Sequence, residues 1–202
     1  MFKDQNYGNP PIVVGSVELY PSEMCFVQYL PIKFIDTDIR IPPNLAWCEP
    51  MVDRLHLPDT HIAYLTVRHM WVSNNKGNRL GWHSDGFMSE DINYLWYDKC
   101  PTQFCIQDFN LTQDHTKSME EMDIQADNRN IITYPCKSIL RLDEKVVHRV
   151  DPTPFEGMRT FVKVSVSKEL YNLEGNAHNY LFDYRFDMVP RKEGRNHPIA
   201  KP

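Results

Sequence analysis

The sequence contains no long hydrophobic run, and no stretch approaches the roughly 18 apolar residues that a membrane-spanning helix needs. Its 202 residues include five cysteines, an odd number, at irregular spacing and without a CxxC pair. A disulfide framework and a structural zinc site are therefore poor interpretations. Reduced thiols in a cytoplasm fit better, and the N-terminal residues show no hydrophobic signal region. We therefore expect a cytoplasmic protein with no membrane segment.

Several common catalytic signatures are also missing from the sequence. It has no glycine-rich phosphate loop, no GxSxG and no HExxH. The acidic segment 114–127 lacks the glycine that bends a calcium-binding loop. The formal net charge of -5 argues against a uniformly basic nucleic-acid surface, although a local basic groove stays open. Any chemistry must therefore come from residues outside these motifs.

The chain is rich in short runs of β-branched and aromatic residues, separated by turn-forming residues, a pattern typical of strands. The predicted strands are 12–20, 25–35, 61–72, 101–109, 131–134, 138–142, 146–150, 159–167 and 184–189. Residues 45–58 favour a short helix, 88–100 a loop, and the polar segment 111–130 an exposed short helix or a mobile insertion. We expect one mainly β domain over 1–202, a barrel or sandwich, with a flexible tail at 190–202.

The motif His83-x-Asp85 follows a predicted turn at 74–78. In a strand, residues i and i+2 point to the same face, so one metal ion could bind both side chains. The neighbouring residues Gly81, Trp82 and Gly86 indicate a tightly packed turn rather than a solvated strand. The pair is therefore a candidate for two of the ligands of a metal site.

A third ligand would come from elsewhere in the chain, and His148 is the best candidate. It lies at the end of a predicted strand, before a proline-rich turn. His69 competes with it, but His69 shares a strand face with Val67 and Trp71, which favours a core or supporting role. Two histidines and one carboxylate on one face form the facial triad of non-haem Fe(II) oxygenases, which leaves three coordination positions open.

Arg159 lies on the next predicted strand, which we expect to pair antiparallel with the strand of His148. A buried guanidinium at this position could form a bidentate pair with a carboxylate. A dicarboxylate co-substrate would supply such a group.

These four residues, by their order and spacing, resemble the Fe(II)- and 2-oxoglutarate-dependent dioxygenases. The resemblance implies a double-stranded β-helix (jelly-roll) core over about 61–168, with a few short flanking helices. It implies that His83, Asp85 and His148 bind iron, and that Arg159 binds the distal carboxylate of 2-oxoglutarate.

The sequence departs from this family at the end of the last strand. Many members have Arg-x-Ser there, whereas this chain has Arg159-Thr160-Phe161. Phe161 cannot donate a hydroxyl hydrogen bond, and Thr160 would point to the opposite face. Lys163 shares the face of Arg159 and is a reserve candidate for binding the co-substrate. For the C1 end of 2-oxoglutarate, three earlier side chains stay open: Tyr64, Arg68 and Gln103.

The resemblance implies an oxidoreductase that uses Fe(II), 2-oxoglutarate and O₂, most simply a hydroxylase. We expect the segments 88–100 and 111–130 to border the pocket mouth. Aromatic and acidic side chains in or next to these segments include Tyr94, Trp96, Tyr97, Phe109, Glu120 and Asp123. They favour a small cationic or aromatic metabolite, or a peptide side chain, ahead of a nucleobase.

Two other classes of function stay open on the sequence alone. One is a jelly-roll protein that has lost turnover and serves as a binding or structural module. The other is a cupin-like enzyme that uses a metal but no 2-oxoglutarate. The sequence does not indicate the oligomeric state.

Overall fold

The structure, a computed structural model, describes residues 6–74 and 81–191 and is built mainly from strands. Strands make up 36% and helices 13%, so the prediction of a mainly β fold is confirmed. The strands are β1 (Ile12–Ser16), β2 (Cys25–Lys33), β3 (Ile62–Ser73), β4 (Ile92–Tyr97), β5 (Thr102–Cys105), β6 (Ile131–Thr133), β7 (Ser138–Leu142), β8 (His148–Val150) and β9 (Glu156–Ser167). The helices are α1 (Glu49–Val52) and α2 (His115–Gln125), with 3-10 turns at Pro43–Cys48 and Asn128–Asn130.

The strands form two antiparallel sheets. The larger sheet has the order β1-β7-β4-β9-β3-β2, and the smaller has the order β6-β5-β8. Strands β3 and β9 pair along their whole length, from Ile62 opposite Ser167 to Ser73 opposite Glu156. His83 forms an isolated antiparallel bridge with His148, which adds the segment around His83 to the free edge of β8. The segment around His83 therefore extends the smaller sheet beyond β8.

Alternation along β9 separates the core from the functional side chains. Val162 and Val164 are fully buried in the main hydrophobic cluster, which also includes residues of β2, β3, β4 and α1. Arg159, Phe161 and Lys163 point to the other face and line a cavity. Because successive side chains of a strand point to opposite faces, one strand serves both purposes.

Helix α2 packs against the segment that carries His83. Asp114 caps its N-terminus by accepting hydrogen bonds from the N–H groups of Thr116 and Lys117, both at 2.9 Å. Met122 is fully buried, in one cluster with Trp82 and other residues. Of the two interpretations of 111–130, the short helix therefore describes 115–125, and its inner face is anchored to the fold.

The predicted loop at 88–100 is wrong, because this segment contains β4, a central strand of the larger sheet. Its residues Tyr94, Trp96 and Tyr97 are all buried. A strand covered on both faces has no polar side to alternate with its apolar side. This explains why the segment showed no strand periodicity.

The predicted hairpin between the strands of His148 and Arg159 is also wrong. Strand β8 pairs with β5, whereas β9 pairs with β3 and β4. The connection contains Pro152 and Pro154, which cannot donate backbone hydrogen bonds to an antiparallel ladder. The chain instead crosses from the smaller sheet to the larger one.

Three further predictions concern the ends of segments. The strand predicted at 184–189 does not form, and within this segment Val189 makes a single parallel bridge to Leu173. The helix predicted at 45–58 ends earlier, because the 3-10 turn Pro43–Cys48 leads directly into α1, which ends at Val52. Of the predicted turn at 74–78, residues 75–78 lie outside the described residues, and of the predicted tail at 190–202, residues 192–202 do. Among the helices of the described ranges, none is long and apolar enough to cross a membrane.

Candidate metal centre

His83, Asp85 and His148 lie together between the two sheets. One potential ligand atom from each residue lies within 4.8 Å of the others, so the group could hold a metal ion. The backbone sets this arrangement, because the N–H of His83 donates to the carbonyl oxygen of His148 at 3.0 Å and the reverse bond measures 2.9 Å. The two imidazole rings consequently lie with their centroids 4.5 Å apart.

Both histidine rings are oriented by backbone carbonyl groups. The Nδ1 atom of His83 lies 3.0 Å from the carbonyl oxygen of Gly81, and that of His148 lies 3.0 Å from the carbonyl oxygen of Val146. A carbonyl oxygen only accepts, so each Nδ1 carries a proton, and in the neutral ring the lone pair is on Nε2. The Nε2 of His148 lies 3.9 Å from Oδ2 of Asp85. This is the tautomer that metal-binding histidines require.

The start of the His83 segment is held by Asp123 of α2. The N–H of Trp82 donates to Oδ1 of Asp123 at 2.7 Å. Gly81 adopts a φ of +88°, and a Cβ atom at this position would lie 3.1 Å from the Asp123 carboxylate. Asp123, which the sequence placed at the pocket mouth, therefore supports the segment that carries His83.

We expect the change Asp123→Ala to weaken binding of Co(II) about tenfold, because supporting partners of metal ligands have effects of this size. The free energy of unfolding should fall by about 1–2 kcal/mol, since the N–H of Trp82 loses its acceptor. Metal titration and urea denaturation measure the two effects. Glu120→Ala on the exposed face of the same helix is the control. Equal effects of both changes would contradict this role of Asp123.

Lys163 forms an ion pair with the carboxylate of the triad. Its Nζ lies 3.0 Å from Oδ2 of Asp85 and donates to the Tyr29 hydroxyl at 3.0 Å. Burial alone would raise the pKa of Asp85, but the charge of Lys163 and the nearby His148 and His83 hold that pKa well below its usual range. Burial would likewise lower the pKa of Lys163, yet Asp85 and Tyr29 raise it above its ordinary value. Both groups are therefore charged at neutral pH.

Tyr29 contributes to this site through an irregularity of β2. Its φ of 48° is unusual for a residue other than glycine, and the β2–β3 register shifts between Val27 and Leu30. The N–H of Tyr29 donates to Oγ1 of Thr66 at 3.0 Å instead of continuing the ladder. The bulge thus brings the Tyr29 hydroxyl to Lys163. Sequence reasoning missed Tyr29, because no turn residue marks the bulge.

Arg159 is buried on the cavity face of β9, with 4% of its surface exposed. Its Nε donates to the carbonyl oxygen of Lys99 at 3.0 Å, and Nη2 donates to that of Cys100 at 3.2 Å. In the described parts of the chain, no carboxylate lies within ion-pair distance of this guanidinium. Burial lowers the pKa of Arg159 from its ordinary value. The site therefore contains a buried cation whose charge the neighbouring backbone only partly compensates.

The face opposite Arg159 has a different role. Thr160 donates its N–H to Oδ1 of Asp98 at 2.7 Å and its hydroxyl to Oδ2 at 2.9 Å. Nδ1 of His69 lies 3.0 Å from the Thr160 hydroxyl. Thr160 thus points away from the cavity, as the alternation of the strand predicted, and His69 is not part of the metal centre.

One cavity of about 260 Å³ connects the triad to Arg159 and Lys163. Of the three candidates for the C1 end of 2-oxoglutarate, only Arg68 lines it. Tyr64 instead stacks on Tyr171 with ring centroids 4.2 Å apart, and Gln103 accepts a hydrogen bond from Nε of Arg149 at 2.9 Å. The structure therefore places Tyr64 and Gln103 outside the cavity.

The predicted aromatic and acidic border of the pocket is wrong. Segment 88–100 contributes only Leu95 to the cavity lining, and segment 111–130 contributes no residue. Phe109 is buried in the cluster beneath Trp82. The prediction failed because composition does not reveal which side of a strand or helix faces a cavity.

No protein-family model matches this chain, and a search of curated proteins found no match. The functional argument consequently depends on the residues of the cavity and on the order of the strands.

Proposed function

We propose that this protein is an Fe(II)- and 2-oxoglutarate-dependent oxygenase, most simply a hydroxylase. The observation that carries the proposal is the shared cavity, in which a His-Asp-His group lies with a buried arginine that has no carboxylate partner among the described residues. A buried cation is costly unless it is paired. A dicarboxylate that reaches both the metal and Arg159 would supply the missing charge.

The path of the chain supports a jelly-roll core. From β3 onward, the chain passes from one sheet to the other at every step except from β5 to β6. Strands β3, β4, β7 and β9 belong to the larger sheet, and the His83 segment, β5, β6 and β8 belong to the smaller one. Two antiparallel sheets wound in this alternating manner are typical of jelly rolls. In such a winding, the triad and Arg159 come to lie between the sheets.

The residues of the triad fit a ferrous ion. Two neutral imidazole nitrogens and one carboxylate form the donor set of the facial triad, which leaves positions for a chelating co-substrate and O₂. Bound iron would supply the oxidative decarboxylation of 2-oxoglutarate that drives the hydroxylation. Lys163 keeps the Asp85 carboxylate ionised and oriented for this ion.

The remaining cavity residues would bind 2-oxoglutarate and shield the reacting groups from water. Arg159 would hold the distal carboxylate of 2-oxoglutarate through charge-assisted hydrogen bonds. Leu95, Val150 and Phe161 supply apolar lining, which excludes water from the reacting groups. No acid–base pair is required from the protein for this reaction.

The proposal predicts that anaerobic protein with Fe(II) and 2-oxoglutarate gains a weak visible absorption band of the chelate. Admitting O₂ should bleach the band and release succinate. Fe(II) without co-substrate, and Zn(II) with it, are the controls and should give no band. Folded, metal-loaded protein without band or succinate would contradict the proposal and favour a binding module. Metal-dependent turnover without succinate would favour the cupin-like enzyme.

A further inference from the structure

Arg68 occupies the outer part of the cavity. On β3 it lies opposite Phe26 of β2 and Phe161 of β9. Its guanidinium lies over the Phe26 ring, 5.0 Å from the centroid, and 53% of the Phe26 surface is exposed. Arg68 itself is half-buried. The cavity therefore opens to solvent past a cation that rests on an exposed aromatic ring.

The cavity carries more positive than negative side chains. Arg68, Arg159 and Lys163 line it, and Asp85 is the one carboxylate among its lining residues in the described chain. Lys163 already pairs with Asp85. Arg149 also borders the cavity, and its guanidinium lies over the Trp82 ring, on the face of β8 opposite His148.

The two cavity arginines lie close enough to influence each other. Arg68 faces Phe161 across the β3–β9 pair, and Arg159 is its diagonal neighbour on the same face. Burial is the main cause of the lowered pKa of Arg159, and the charge of Arg68 lowers it further. Two adjacent guanidinium groups repel each other, and anions placed beside them remove this cost.

We infer that Arg68 and Phe26 form a substrate subsite for an oxyanion, a carboxylate or a phosphate, attached to a flat apolar group. This inference rests on the proposed function, in which Arg159 binds the distal carboxylate of 2-oxoglutarate. It assigns Arg68 to the substrate rather than to the C1 end of 2-oxoglutarate, because Arg68 is half-buried and lies beside the exposed Phe26 ring. The oxyanion would pair with Arg68 by charge-assisted hydrogen bonds, while the exposed Phe26 ring contacts the apolar group. The inference replaces the cationic substrate that the acidic segments of the sequence favoured.

Calorimetric titration of protein loaded with Ni(II) and 2-oxoglutarate tests the subsite with three probes: benzoate, phenyl phosphate and benzyl alcohol. At least one anionic probe should bind about tenfold more tightly than the neutral alcohol. The tighter of the two anions identifies a carboxylate or a phosphate as the natural group. Equal affinities of all three probes for the wild-type protein would overturn the inference.

Variants separate the subsite from the co-substrate site. Arg68→Gln should abolish the preference for the anionic probes and change the affinity for 2-oxoglutarate by less than about twofold, whereas Arg68→Lys should retain part of the preference. Arg185→Gln, at an exposed arginine that does not line the cavity, is the matched control, with no expected effect. Phe26→Leu should weaken the binding of benzoate more than that of acetate, a further probe that has the carboxylate but no ring. If Arg68→Gln weakens the binding of 2-oxoglutarate as strongly as Arg159→Gln does, Arg68 belongs to the co-substrate site and the inference is wrong.

The same titrations distinguish this inference from the proposed function. Metal-loaded wild-type protein that does not bind 2-oxoglutarate would contradict the proposed function. The probes are then titrated without 2-oxoglutarate. A preference for anions that disappears in Arg68→Gln would still support the subsite, and its absence would refute it.

Discussion

Replacing Asp85 by alanine is expected to abolish metal binding and also to destabilise the metal-free protein. The change removes one of the three proposed ligands and leaves Lys163, with 8% of its surface exposed, without its carboxylate. Removal of one partner from a buried ion pair costs about 3 kcal/mol or more. Titration with Co(II) measures the first effect, and urea denaturation of the metal-free protein measures the second.

A second change separates the two effects. In the double variant Asp85→Ala/Lys163→Met the uncompensated cation is gone, so most of the lost free energy of unfolding should return while metal binding stays absent. His178→Gln, at a histidine outside the cavity lining, is the control and should retain both properties. Undiminished Co(II) affinity in Asp85→Ala would refute the metal centre. Unchanged stability would show that the ion pair with Lys163 does not hold the site together.

The triad was accessible from the sequence because its signals are local. His83 and Asp85 lie two positions apart, and His148 lies next to a proline-rich turn, so strand spacing and turn chemistry are enough to propose them. The face of Arg159 also followed from simple alternation along its strand. Each of these inferences needs only a short window of sequence.

The surroundings of the triad depend on long-range pairing, which the sequence does not display. Lys163 meets Asp85 across 78 positions of the chain, and the Trp82 N–H meets Asp123 across 41. The β2 bulge turns Tyr29 toward Lys163, yet a bulge is set by the register of two strands. Side chains that orient the ligands were consequently found only in the folded chain.

The acidic segment shows how composition misled the prediction of the substrate. Glu120 and Asp123 lie on α2, where Glu120 faces solvent and Asp123 binds the backbone of Trp82. Neither residue lines the cavity, whose excess charge is positive. A net charge of -5 for the whole chain therefore says little about the field inside the cavity.

Arg159→Gln is expected to weaken 2-oxoglutarate binding about 100-fold, because removal of one partner of a buried, hydrogen-bonded charge pair costs several kcal/mol. The visible band of the Fe(II) chelate, titrated with 2-oxoglutarate, measures this loss. The free energy of unfolding of the metal-free protein should change by less than about 1 kcal/mol, since the variant loses hydrogen bonds to Lys99 and Cys100 but also removes an uncompensated buried cation.

Arg159→Gln and Asp85→Ala should differ in their effect on the free energy of unfolding of the metal-free protein. The charge of Asp85 is compensated within the folded chain, so its loss appears in stability before any ligand is added. Among the described residues, no carboxylate pairs with Arg159. Loss of its charge should therefore appear mainly as a lower affinity when the dicarboxylate is titrated. Arg185→Gln, at an exposed arginine outside the cavity lining, should change neither quantity. If Arg159→Gln keeps the wild-type affinity for 2-oxoglutarate, the co-substrate does not bind at Arg159. A large loss of stability would show that Arg159 has a structural role.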